Sequence, residues 1–255
     1  MILNDVFTAF VISFLIQVVF FAIAAYFRTD KVTDFSYGLS FVVIVWFLAI
    51  KNSSFSSIQV VLVLLISLWG IRLATYLVVR ILRNGKDKRF DGVREDFYKF
   101  AKFWIFQALV VWMILLPTVI VLATPSYKFG LTQIIGLTVW LIGFGIEAIS
   151  DQQKFAFKIK KPDEFITTGL WRYSRHPNYF GEALLWWGIF IIATPYLSGF
   201  SYLSIIGPIC IMSLLLFVSG IPSLEKSYDK KYGLQNKYRK YKKSTSIFVP
   251  LPPYK

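Results

Sequence analysis

Gly169-Leu-Trp-Arg-Tyr-Ser-Arg-His-Pro-Asn-Tyr-Phe-Gly-Glu182 runs without a break into the apolar stretch 183–195. A segment crowded with hydrogen-bonding side chains meets one long enough to enter a bilayer, and Pro177 stands at the join. Proline suits the first position of a helix, because the N–H it lacks would have no partner there and its φ is already helical. A helix starting at Pro177 sets Asn178 and Glu182 one turn apart on one face, with Arg175, Tyr179 and Glu182 on an overlapping stripe. The unpaired N–H groups and the positive dipole end of that first turn favour an anion. The stretch therefore predicts a water-facing anion site built into the rim of a membrane helix.

The rest of the chain supplies the bilayer context. Of 255 residues, 56% are hydrophobic and 18% aromatic, with mean hydropathy +0.59, which predicts an all-α, polytopic membrane protein read as a single integral membrane domain. Residues 6–26 are long enough to span and lack the basic start of a signal peptide, so they read as the first span. Cys210 is the only cysteine and His176 the only histidine, which argues against a disulfide, a zinc site and a Ser-His-Asp triad.

About seven spans are expected, near 6–26, 35–50, 57–79, 103–124, 131–150, 177–196 and 203–222. Segments 27–34, 80–102, 151–176 and 223–255 hold 2, 8, 6 and 9 lysines and arginines, against Lys51 and Lys128 on the opposite side. The positive-inside rule then puts the amino terminus outside and the carboxyl terminus in the cytosol. The net charge of +14 is thereby assigned to topology and anionic lipid, with no nucleic-acid partner expected. The long loops all fall on the cytosolic side, so the working face is expected there, with an anionic ligand.

Charged residues at membrane depth default to functional hypotheses. Arg72 lies inside the third span, three residues from Trp69, and either snorkels toward water or serves a site. Glu147 and Asp151 form an acidic stripe at the cytosolic end of span five, which either pairs with loop lysines or belongs to a site. Asp34, in Thr33-Asp-Phe-Ser-Tyr-Gly38, reads locally as a helix cap. The loop Arg83-Asn-Gly-Lys-Asp-Lys-Arg89 joins glycine to four cations but lacks the spacing of a phosphate-binding loop. Residues 91–98 read as an interfacial helix. In the tail, Glu225 sits at the depth of Glu182, and two carboxylates bordering one vestibule suit ribose hydroxyls or an amine; the tyrosines around it suit a membrane interface.

The 169–182 motif resembles the signature of the steroid 5α-reductase family, in its bacterial membrane branch, and more distantly those of isoprenylcysteine carboxyl methyltransferases and sterol reductases. The resemblance extends through Glu147…Ser150-Asp-Gln-Gln-Lys154, through Glu225…Tyr232-Gly…Tyr238…Tyr241…Phe248-Val-Pro250, and through Ser67-Leu-Trp-Gly-Ile-Arg72. It implies a seven-span enzyme of the inner membrane, with its active site facing the cytosol and its cofactor-binding half at about 140–255. Such an enzyme takes NADPH and passes hydride to a carbon–carbon double bond conjugated to a carbonyl in a lipophilic substrate held in the bilayer. On this reading the cofactor contacts are Arg72, Lys86, Arg89, Glu147, Asp151, Lys158, Arg172, Arg175, His176, Asn178, Tyr179, Glu182, Glu225 and Tyr232. The catalytic candidates are Asp34, Tyr37 and Trp69. Asp34 falls near the acid that polarises the substrate carbonyl in the steroid enzymes, and Trp69 where they carry a tyrosine. An indole cannot donate a proton as a phenol can.

Reduction of an enone builds charge on the carbonyl oxygen, which a donor in a dry cavity stabilises. A second reading is an S-adenosylmethionine-dependent methyltransferase using the same elements. The cationic loop 83–89 favours NADPH, since a 2′-phosphate would use it and a sulfonium would not. A transporter or scaffold is a third reading, against which no paired broken helices appear in the sequence.

Overall fold

The computed structural model describes residues 1–53, 55–85, 87, 90–125 and 129–254. Helix makes up 78% of it, with no strand among the described residues. In order come α1 (Ile2–Tyr26), α2 (Thr33–Lys51), α3 (Ser57–Asn84), α4 (Phe97–Leu122), α5 (Leu131–Lys160), α6 (Pro177–Ala193), α7 (Ile206–Ser213), α8 (Ile221–Tyr232) and α9 (Asn236–Ser244). Among the described residues, six segments are long and apolar enough to cross a membrane: α1 to α5 and the interrupted stretch Gly199–Tyr232. The expected sixth span is α6, which begins at Pro177 and has 17 residues. The chain divides into two compact units, one of Met1–Gln133 with Ala193–Gly207, the other of Ile134–Ile192 with Pro208–Lys255.

In the first unit, α1 packs on α2 and α4, and α2 on α3. Polar side chains inside this bundle satisfy one another. The Gln17 amide donates to Ser40 Oγ at 2.8 Å, and the Gln107 amide to Gln17 Oε1 at 2.8 Å and Ser36 Oγ at 3.2 Å. Such bonds tie helices together where apolar surface cannot, since lipid is as apolar as leucine. At one end of α1, buried Asp5 pairs with Lys51 at 2.7 Å and accepts from the Asn52 amide at 2.8 Å. Near the other end, Arg94 grips Asp30 and Asp91 while Asp30 also accepts from the Asp87 N–H at 2.6 Å.

Two local expectations change here. Residues 91–96 form turns instead of an interfacial helix, with Gly92 at φ +78. Asp96 accepts from the Lys99 N–H at 3.1 Å and so caps α4, which fixes the helix start at Phe97. Asp34 lies within the first turn of α2 and is not its cap; the helix begins after Val32 without a side-chain cap.

In the second unit, α5 and α6 run antiparallel along a glycine seam. A Cβ on Gly143 would lie 2.6 Å from the Leu185 nitrogen and 2.7 Å from the Gly181 carbonyl oxygen. Seven residues away on each helix the contact repeats: a Cβ on Gly188 would lie 2.8 Å from the Gly136 oxygen and 2.7 Å from the Trp140 nitrogen. Small residues on one stripe let two backbones touch. Beyond α7 the helix widens into a π turn, Leu214–Val218, where the Ser219 and Gly220 N–H groups both donate to the Leu214 carbonyl, and α8 restarts at Ile221. The span expected at 203–222 thus carries a π turn in its second half, and its continuous helix ends at Val218.

Candidate functional site

The seam carries α5's acids to the start of α6. Gly181 presses on the backbone of Glu147, placing Glu182 beside it, and the Asn178 amide donates to Asp151 at 3.2 Å. Glu147, Asp151 and Glu182 are all buried. A carboxylate withdrawn from water needs hydrogen-bond donors or cations, and Asp151 has one in the Asn178 amide.

Next to it along the chain, a second cluster centres on Glu225. Its carboxylate takes Arg175's guanidinium, His176 Nε2 at 2.9 Å and Lys242 Nζ at 3.4 Å. Lys242 also reaches Asp229 at 2.6 Å. His176 is buried, and burial pushes its imidazole below the ordinary value near 6.5, outweighing the hydrogen bond it makes to Glu225. The neutral ring must carry its proton on Nε2 to meet a carboxylate, which leaves Nδ1 as a bare acceptor. That nitrogen has no hydrogen-bond partner among the described residues. Tyr179 stacks on the ring with centroids 5.7 Å apart.

An aromatic wall completes the cluster. The Lys154 ammonium lies 4.7 Å from the Trp171 ring centre and 5.6 Å from that of Tyr228, within cation–π range. Trp171 donates its indole N–H to Ser150's carbonyl at 3.0 Å, and Tyr241 donates to the Trp171 carbonyl at 2.6 Å. Burial pushes the Tyr238 and Tyr241 phenols upward, so both stay protonated donors. The hollow lined by Trp171, Arg175, Glu225, Tyr228, Tyr238 and Tyr241 has room for about one water molecule.

Several of the other expected contacts have partners within the chain. Lys158 donates to the carbonyls of Pro162 and Glu164 and lies 3.2 Å from Tyr232 Oη, so it holds the turn after α5. Arg172 is exposed at the end of a 3-10 turn. In the first unit, Gly38 and Gly70 bring α2 and α3 together, since a Cβ on Gly38 would lie 2.8 Å from the Gly70 oxygen. That contact sets Tyr37 and Trp69 edge to face at 6.4 Å, with Trp69 fully buried against Phe41. Asp34 forms a salt bridge with Arg80 at 3.2 Å, which employs it as an anion. Arg72 is half-buried on α3. Lys86 and Arg89 lie outside the described residues.

Residues 20–245 match a protein family described as a protein of unknown function, DUF1295. The chain belongs to this family. It is a family of the steroid 5α-reductase-like superfamily. An uncharacterised protein of Schizosaccharomyces pombe is 29% identical over 221 residues, covering 72% of this chain and 61% of the relative. The chain therefore spans about three-fifths of that relative's length. No solved structure matches the chain significantly.

The match takes in both helix-borne clusters of the second unit. Reading the sequence alone missed Lys154, Trp171, Ser174, Asp229 and Lys242 as members of them. Lys154 was within reach, one turn beyond Asp151 on the acidic stripe of α5. Lys242 and Asp229 were not, because nothing local says that α9 folds back on α8.

Proposed function

We propose that the protein is a membrane-embedded, NADPH-dependent reductase of a carbon–carbon double bond conjugated to a carbonyl in a lipophilic, steroid- or isoprenoid-like substrate. The observation that carries this reading is the gathering, at the polar end of α6, of the Asp151–Asn178 pair and the Arg175–His176–Glu225 cluster within one compact unit. Those groups fit a dinucleotide in kind. Arg175, Lys154 and Lys242 suit phosphates, the carboxylates at 147, 151 and 182 suit ribose hydroxyls, and the bare Nδ1 of His176 suits an N–H or O–H donor. The bound cofactor would supply the hydride, while this chain orients it and excludes water. On the substrate side, Tyr37 is the favoured proton donor, because Trp69 has no acidic hydrogen to give and Asp34 is engaged by Arg80. The reading places the enzyme in the bacterial inner membrane with this site toward the cytosol, the substrate arriving through the lipid.

One observation favours the second reading, a methyltransferase using S-adenosylmethionine. The ammonium of Lys154 already sits against two aromatic faces close to a carboxylate cluster, an arrangement that also welcomes a sulfonium. Thermal melts of the detergent-solubilised protein decide between them. A ligand that binds only the native state stabilises it by about 2.7 kcal/mol at a hundred times its Kd. NADPH is expected to raise Tm and S-adenosylhomocysteine to leave it unchanged, with the NADPH shift lost in Glu182→Gln. The reverse pattern would replace the reductase by the methyltransferase.

A further inference from the structure

Residues 173–176 lie between a 3-10 turn that ends at Arg172 and a helix that begins at Pro177; the Tyr173 and Ser174 N–H groups reach back to the Leu170 carbonyl and the His176 carbonyl serves Phe180, which leaves the Arg175 N–H and the Tyr173 carbonyl outside any helical ladder. Buried backbone groups must nevertheless find partners. They find them in the last residues of the chain. The Arg175 N–H donates to the Ser246 carbonyl at 2.8 Å, and the Leu251 N–H donates to the Tyr173 carbonyl at 3.0 Å. Ser174 and Ser246 form a parallel bridge. Phe248 packs edge-on against Phe180 of α6, ring centres 5.5 Å apart, which anchors this segment to the helix that follows the motif.

Ser174 is the joint. Its hydroxyl donates to the Phe248 carbonyl at 2.7 Å and accepts from the His176 N–H at 3.1 Å, and the side chain is fully buried. One oxygen therefore transmits the position of the carboxyl-terminal segment to the backbone of the residue whose ring meets Glu225. We infer that Ser174 and segment 246–251 form a positioning clamp that holds the His176 imidazole at Glu225 with Nδ1 turned toward the ligand site. The inference rests on the nucleotide-binding reading only for its ligand; the clamp itself is a statement about His176. Without it the ring loses its fixed backbone, rotates away from Glu225 and admits water, while the spans remain folded.

Because His176 is the only histidine, its imidazole can be watched without assignment. The groups that set its titration are Glu225, Arg175 and Lys154, with Tyr179 stacked on the ring. Full-length protein labelled with ring-15N histidine is expected to show a neutral Nε2–H tautomer that titrates below pH 6.5. In Ser174→Ala and in Phe248→Ala the titration should move back toward 6.5 with mixed tautomers, whereas Ser174→Thr, which keeps the hydroxyl, retains the wild-type signal. NADPH affinity should fall about tenfold in the first two variants, equivalent to about 1.4 kcal/mol. Unaltered histidine signals in Ser174→Ala and Phe248→Ala would overturn the clamp whatever the ligand. Altered signals in a protein that binds neither NADPH nor S-adenosylhomocysteine would keep the clamp and discard the nucleotide reading.

Discussion

Glu225 answers three cationic or hydrogen-bonding side chains, and its nearest partners lie about fifty residues away in sequence. Replacing it with glutamine keeps the shape and an acceptor for His176 but strands Arg175, which is itself mostly buried. Breaking a buried pair by removing one charge costs about 3 kcal/mol, so Glu225→Gln should lower Tm by several degrees in detergent. The more exposed Lys242–Asp229 pair should contribute well under about 1 kcal/mol, and Asp229→Asn is expected to leave Tm almost unchanged. His176 adds a pH dependence. Its folded-state value lies below the ordinary one near 6.5, so the unfolded chain binds the extra proton more readily as pH falls. Stability is therefore complete above about 6.5 and declines below it. His176→Gln should flatten the acid side of a Tm-versus-pH curve. At this scale the sequence displayed half of the cluster. Arg175, His176, Asn178 and Glu182 could be grouped because Pro177 sets a helix register, whereas Glu225's partners depend on the fold of the tail.

Helix pairs are where sequence reading succeeded in placement and failed in cause. The start of α6 at Pro177 follows from proline chemistry, but the glycines at 136, 143, 181 and 188 pass unnoticed in an apolar run until the two backbones are seen to meet. Gly143→Ala would drive a methyl group into main-chain atoms that cannot move aside, at a cost of about 1–3 kcal/mol. Gly145 is the internal control. Nothing lies within 4 Å of its added Cβ, so Gly145→Ala should be neutral or stabilising by about 0.5–1 kcal/mol. A melt in which both alanines behave alike would refute the seam. The turns at 91–96 misled for a different reason: the charge spacing there resembles a helix face, yet Gly92 and the cap at Asp96 defer the helix to Phe97.

Across the whole molecule, apolar run length gave the all-helical bilayer architecture directly, since only helices that satisfy their own backbone can cross lipid without closing into a barrel. What it could not give was the π turn at Leu214–Val218, which has no proline or polar marker inside it. Lysine and arginine placement predicts opposite sides for the two termini. Reporter fusions at each end test this: an amino-terminal reporter should be active outside and a carboxyl-terminal one inside, and matching locations would mean an even number of crossings. The seam between α5 and α6 also bears on traffic. Two backbones already in touch have no slack to yield, and the hollow beside them admits little more than a water. A guest larger than that needs the lining to part, and α9, which contributes Tyr238 and Tyr241 to it, is fastened by the Lys242–Asp229 pair and the Tyr241 hydroxyl. The guest's dwell time becomes a property of the tail, shortening with ionic strength as that exposed pair is screened.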